Sequence, residues 1–255
     1  MLIKEFISII IPYHRKKKFF QETISSLAKQ TYQNFEIILI YDDNNKSELS
    51  YIKKIINQYK LKTKIINNTK NIGAGLSRNK GLKLSKGDFV AFCDADDLWD
   101  KNKLLYQLKF IKKNKLLFSH SSYDVINYKS KKIGSFNVPK VIYERDLIKS
   151  CDIGLSSVMI SKKLLKNFSF SSLKTKEDYL LWLQIIQTIT KFSGIKKKLV
   201  SWRNLENSLS SSQFQRIIDA FRLYKYYLKY SYINSIYCVI RLSLYAFKKK
   251  FLMYS

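Results

Sequence analysis

Hydrophobic positions along the chain alternate between two periods. Ile7 to Ile11 is an apolar run closed by Pro12, and Phe35 to Tyr41 is a second one closed by Asp42-Asp43. Short runs without polar alternation predict strands buried on both faces. Between them, Phe20, Ile24, Leu27 and Ala28 recur at helical spacing through Gln30. Leu49, Ile52, Ile55, Ile56 and Tyr59 form another helical stripe, with Ser47 as the expected N-cap, and Lys64 to Ile66 predicts a short third strand. Asn71 to Gly75 is turn-rich and opens a helix that carries Arg78 and ends near Gly87. Phe89 to Cys93 is then a fourth apolar run, and it stops on Asp94-Ala95-Asp96-Asp97.

Strands alternating with helices predict a mostly parallel α/β sheet covered by helices, with ligands gathering at the carboxyl ends of the strands. Pro12-Tyr13, Asp42-Asp43 and Asp94 to Asp96 then share one rim. No Gly-x-Gly-x-x-Gly follows the first strand, so the dinucleotide-binding fingerprint is absent. Taken alone, Asp-x-Asp is as readily an acidic turn as a metal site.

The second half is looser. Lys103 to Lys112 predicts a helix, Leu116 to Ser119 and Gly154 to Ile160 predict strands, and the polar stretch between them has no clear period. A helix begins near Lys176 and runs through Ile186, placing Glu177 and Asp178 in its first turn, where acids favour the helix dipole. Lys196 to Arg203 predicts the last strand. A Ser-rich loop, 208–212, then separates a domain spanning 1–212 from a helical tail spanning 213–255. In that tail Phe214, Ile217, Phe221 and Tyr224 interleave with Arg216, Arg222, Lys225 and Lys229. Such a pattern suits an anionic membrane surface, or a helical pair that packs back on the domain and keeps a solvated basic face.

Composition narrows the partners. With 46% hydrophobic residues the chain can bury a continuous core, and 47 Lys and Arg against 19 Asp and Glu give a formal charge of +28. That excess implies an anionic partner: nucleotide phosphates, anionic lipid or nucleic acid. Richness in Lys, Asn, Ile and Tyr with two prolines is also what A/T-biased codons produce, which lowers the weight of the charge. Cys93, Cys151 and Cys238 are scattered and odd in number, so neither a disulfide framework nor a zinc site is readable. The first residues lack the length and cleavage site of a secretory signal, and no apolar run is long enough to span a bilayer, so a cytoplasmic protein is expected.

In order along the chain stand Ile9-Ile10-Ile11-Pro12-Tyr13, Gln30-Thr31-Tyr32, Asp42-Asp43-Asn44, Asn71-Ile72-Gly73, Ser77-Arg78-Asn79-Lys80-Gly81, Asp94-Ala95-Asp96-Asp97, Ser156-Ser157-Val158 and Glu177-Asp178-Tyr179. Set together they resemble the family 2 glycosyltransferases of GT-A fold, over about Ile7 to Ser210. The resemblance implies a metal-dependent, inverting transfer of a sugar from a nucleoside diphosphate, a UDP-sugar first among them, to a lipid-linked or polysaccharide acceptor. A hard divalent cation, Mn²⁺ or Mg²⁺, neutralises the charge growing on the departing diphosphate. Asp96 is the first candidate to hold it, and Asp94 either shares it or approaches the ribose. Pro12, Tyr13, Asp42 and Asp43 would form the base pocket and Arg78 would reach the nucleotide. Asp178 would act as general base on the acceptor hydroxyl, with Glu177 orienting it.

One departure stands out: relatives carry Arg-x-His before Ser-x-Ser, whereas here Leu205 replaces the His, leaving Asn204 or Asn207 to compensate. Two other functions remain open at this level. A nucleotidyltransferase would release pyrophosphate from a triphosphate, but the Gly-rich triphosphate loop is absent. A nucleic-acid-binding protein would use the charge and the eighteen tyrosines, yet most tyrosines fall on core stripes, so no nucleic acid is expected.

Overall fold

The computed structural model describes residues 4–205 and 212–254. Asn207 and 208–211 of the Ser-rich loop lie outside the described residues. The first half follows the hydrophobic pattern. Strand β1 (Ile7–Tyr13), helix α1 (Lys17–Ala28), β2 (Phe35–Tyr41), α2 (Lys46–Gln58), β3 (Thr63–Asn67), α3 (Ala74–Leu84) and β4 (Phe89–Phe92) succeed one another as β-α units. β1 pairs in parallel with β2 and with β4, and β2 with β3, in a register that sets Ile9 between Ile37 and Ala91. Every residue of β1, β2 and β4 is buried, as near-continuous apolar runs require when helices cover both faces, and the buried Ser8 hydroxyl donates to Glu36 on the neighbouring strand.

The remaining elements are β5 (Leu98–Trp99), α4 (Lys103–Lys113), β6 (Phe118–Ile126), β7 (Lys132–Phe136), β8 (Val141–Tyr143), α5 (Glu144–Leu147), β9 (Met159–Ser161), α6 (Lys162–Leu165), α7 (Glu177–Ile189) and β10 (Lys191–Arg203). They complete an α/β fold around one sheet ordered β3-β2-β1-β4-β9-β6-β10-β5, with β7 on β6 and β8 on β10. Beyond β4 the sheet is mixed: β9 runs antiparallel to both β4 and β6, while β6 and β10 are parallel.

Several boundaries differ from the sequence expectation, each for a local reason. Asn45, not Ser47, caps α2: its side chain accepts from the Glu48 amide, and the Ser47 hydroxyl donates to Asn45 instead. β6 continues seven residues past Ser119 because Ser119, His120, Ser121 and Ser122 are buried despite their polarity. Their hydroxyls are used: Ser119 accepts from Gln107, Ser121 donates to the Ser122 carbonyl, and Ser122 accepts from the Val138 amide. Within Gly154 to Ile160 the strand is confined to the start of the short β9, and Leu155–Ser157 form a 3₁₀ turn ahead of it. β10 starts at Lys191, five residues before the expected start, its lysines 191, 196 and 197 facing outward.

After 212 the chain forms α8 (Gln213–Arg222), one π-helical turn (Leu223–Tyr227) and α9 (Tyr232–Tyr254). One face packs back: Ala220, Leu223, Tyr224, Cys238 and Leu242 join the apolar cluster that holds Trp182 and Phe192. No helix among the described residues is long and apolar enough to cross a membrane.

Candidate functional site

The carboxyl ends of β1, β2 and β4 deliver the rim residues, and each makes distinct contacts. Asp42 closes the turn before α3: its carboxylate accepts from the Ile72 and Gly73 amides at 2.9 Å each and from the Asn68 side chain at 2.7 Å. Gly73 has φ +87°, a backbone that L side chains rarely adopt. Asp43 accepts from the Asn44 and Asn45 amides, and its other oxygen lies 3.4 Å from Arg15 and 3.5 Å from His14. Burial works to raise its carboxyl, but those amides, with His14 and Arg15 nearby, hold it below the usual range. Asp43, Asn44, Asn45, Arg15, Lys17 and Glu48 line an open cleft of about 500 Å³. Pro12 and Tyr13 sit beneath this rim, wholly buried, with the Tyr13 ring between Phe20 and Tyr41 and its hydroxyl on Glu48.

Around β4 the charges alternate in space. Asp94 is the most open acid of the triplet, its side chain about a third exposed, and it pairs with Arg78 at 2.7 Å. Arg78, nearly buried on α3, uses its other terminal nitrogen on Glu177, also at 2.7 Å. It thus bridges the end of β4 to the start of α7. The approach is close: a Cβ on Gly75 would stand 2.7 Å from the Ser171 carbonyl oxygen and 3.0 Å from Glu177 Cγ. Asp96 receives Lys16 Nζ at 2.6 Å, and its backbone carbonyl accepts from Arg203 Nε at 2.8 Å. Burial raises the Asp96 pKa, with Lys16 working against it and Asp94 adding to it.

Asp97 does not cap the next helix. α4 begins at Lys103 after Asn102, whose amide donates to Asp100. Asp97 turns inward instead, accepting from the Ser156 hydroxyl and the Arg203 amide, and its burial beside Asp96 and Asp94 raises its pKa far above the usual range. Trp182 packs against Phe92 and Phe118, fully buried, as core.

Glu177 and Asp178 occupy the first turn of α7, entered through Lys176 in the left-handed region. Burial and the neighbouring Asp178 raise Glu177 to about 7, with Arg78 opposing; burial also raises Asp178. Two adjacent acids raised in this way titrate as a pair. Asp178 accepts from the Tyr179 amide at 2.7 Å through one oxygen.

Thus Arg78, Asp94, Glu177 and Asp178 come together at one place, with Asp96 beside Asp94, while Asp42 and Asp43 stand further along the same rim. Lys16 was hidden in an ordinary basic loop, and Arg203 stood out only as the start of the altered Arg-x-His. Arg203 is nearly buried, lies over Phe19 at 4.6 Å, and also binds Glu22 and Ser130. Asn204 points away from the acids to the hydroxyl of Tyr254.

Two carboxylates at a rim fit a divalent cation of hard character that is held jointly with a diphosphate. Among the described residues no group of three or more His, Cys, Asp or Glu could hold a metal unaided. Phosphate oxygens and water would therefore complete the shell.

The family model described as "Glycosyl transferase family 2" matches residues 8–169. The chain is 35% identical over 213 residues to the UDP-Glc:alpha-D-GlcNAc-diphosphoundecaprenol beta-1,3-glucosyltransferase WfgD of Escherichia coli, covering 83% of this chain and 82% of that one. Its fold matches that of S. aureus TarS residues 1–349 in complex with UDP-GlcNAc, with a TM-score of 0.69 at 21% identity over 92% of this chain and 70% of that one. It also matches the mannosyltransferase PcManGT of Pyrobaculum calidifontis in complex with GDP-Man and Mn²⁺, with a TM-score of 0.67 at 13% identity over 90% and 66%.

Proposed function

Because the chain belongs to glycosyl transferase family 2 and is a glycosyltransferase, we propose that it moves a sugar from a UDP-sugar to a diphosphate-linked polyprenyl acceptor, with inversion, in cell-surface polysaccharide synthesis. The single observation that carries this reading is the Arg78 bridge, which holds the donor-side acid Asp94 and the acceptor-side acids Glu177 and Asp178 in one charge cluster. The relative from E. coli, matched over most of both chains, is a glucosyltransferase from UDP-Glc to a diphosphoundecaprenol-linked GlcNAc.

Donor binding falls to the cleft at Asp43, whose exposed Arg15 and Lys17 suit a nucleotide's negative charge. Asp96 and Asp94 would hold a divalent cation, which when bound would supply Lewis-acid neutralisation of the departing diphosphate. Asp178 takes the proton from the acceptor hydroxyl as it attacks the anomeric carbon. Its raised pKa, with Glu177 at about 7, keeps a base of useful strength near neutral pH. Glu177, fixed by Arg78, orients that base. Action at the inner face of the cell membrane follows from the acceptor class.

Asp178→Asn tests the assignment. Transfer from UDP-glucose, read by UDP release in the presence of a polyprenyl-diphosphate sugar, is expected to fall by about 10³-fold or more, while binding of UDP-glucose by calorimetry is unchanged. Undiminished turnover would remove Asp178 as the base.

A further inference from the structure

On α9 the inward residues Ser235, Cys238, Leu242 and Met253 fall on one side of the helix and are buried. The opposite side carries Ile233, Ile236, Tyr237, Ile240, Leu244 and Phe247 at spacings of three and four, so they form one stripe. All are exposed, Ile233 by 80% and Phe247 by 77%. From Ile233 to Phe247 the stripe runs about 21 Å at about 1.5 Å per residue. It continues into a groove of about 440 Å³ between α9 and α8, where Ile236 and Ile240 face Ile217, Phe221 and Tyr226.

Charge identifies what covers it. By helical spacing Arg241 and Lys248 flank the stripe on one side and Lys250 on the other, with Arg222 at the groove. The segment from Gln213 onward contains a single acid, Asp219, and that acid is buried. A protein partner would balance an apolar stripe with charges of both signs, whereas a bilayer bearing anionic headgroups meets apolar side chains flanked only by cations.

We propose that the outward face of α8 and α9 lies on an anionic bilayer and sets the position of the acceptor base relative to the membrane surface. The proposal deepens the reading of a lipid-linked acceptor and rests on it. Its second half stands on the buried link between tail and active site. Asp219 of α8 accepts from both the amide and the hydroxyl of Thr175, at 2.9 and 3.0 Å, two residues before Glu177. Tyr224 bonds the Tyr179 hydroxyl at 3.1 Å and the Ile148 carbonyl at 2.9 Å. Asp178 lies between these two ties, so seating the tail on a surface seats the base as well.

The test uses the full chain and needs no substrate: flotation with phosphatidylcholine vesicles, with and without phosphatidylglycerol. The protein is expected to float with the anionic vesicles only, and less so as salt rises. The double substitution Ile233→Glu with Phe247→Glu, at two exposed positions, is expected to weaken flotation by about tenfold or more; Leu244→Ser serves as the milder change, and thermal melting checks the fold of each. No flotation of the wild-type chain, or equal flotation of the folded variants, would overturn the proposal. So would a dimer of the wild-type chain that the double substitution dissociates, since a second copy would then cover the stripe. Donor turnover with a water-soluble acceptor, measured separately, tells failure of the membrane contact from failure of the reaction assigned above.

Discussion

At the residue scale, the acids of the site are neutralised from within the chain. Asp94 is paired with Arg78 and Asp96 with Lys16. Lys16 therefore competes with any cation for the same oxygen, at an ion pair whose side chains are about a quarter and an eighth exposed. Lys16→Ala is expected to tighten binding of Mn²⁺ alone by roughly fivefold, the scale of a partly exposed ion pair; a titration followed by electron paramagnetic resonance reads this directly, and an unchanged affinity would mean Lys16 does not compete. Away from the site, His120 is buried, neither ring nitrogen has a hydrogen-bond partner among the described residues, and burial with Lys249 nearby lowers its pKa to about 3. Neutral in the folded state and protonated near its ordinary value when unfolded, it contributes stability that is intact above about pH 6.5 and lost as pH falls toward about 3. His120→Phe is expected to retain roughly 2 to 3 kcal/mol more of its neutral-pH stability than the wild type at about pH 4.5, measured by urea unfolding at the two pH values. The rim acids were legible as residue types on strand ends. Their partners were not, because Lys16 and Arg203 come from segments whose contacts exist only once the sheet has formed.

At the scale of elements, the parallel half of the sheet was legible because strands buried on both faces leave near-continuous apolar runs and helices leave stripes. What was hidden had a specific cause each time. β6 carries four buried polar residues in succession, Ser119 to Ser122, so its sequence reads as a loop although the hydroxyls are satisfied internally. β10 begins among lysines that face solvent beside Gly194 and Phe192. The junction of α3 with α7 was equally invisible, since Gly75 looks like any turn glycine until Ser171 and Glu177 close over it. Gly75→Ala must push one of them away, and the cost of such overpacking is about 1 to 3 kcal/mol. The expected result is a lower melting temperature together with a fall in kcat larger than any change in KM for donor; full activity at unchanged stability would show that the two helices separate freely.

At the scale of the whole molecule, the tail is neither a plain extension of the core nor an appendage. One face of it supplies Leu223, Tyr224 and Leu242 to the same apolar cluster as Trp182, and the other presents the apolar stripe. Of the two alternatives left open by the amphipathic pattern, packing back on the domain is realised by one face, while the outward face carries an apolar stripe where a solvated basic face was expected. The charge of +28 is likewise spread over the molecule, with cations both at the cleft lined by Arg15 and Lys17 and along the rim of the tail.

The Arg78 bridge bears on the sequence of events in turnover. One guanidinium is divided between Asp94, on the donor side of the reaction proposed above, and Glu177, beside the proposed base Asp178. If Asp94 is committed to a donor complex in that reaction, more of the positive charge would fall to the Glu177 side and so to Asp178 beside it. Binding is therefore expected to follow a compulsory order, donor first. Initial-rate measurements with an unreactive acceptor analogue should give uncompetitive inhibition against the UDP-sugar, whereas a noncompetitive pattern would mean that the two substrates enter at random and that the shared arginine keeps no order between them.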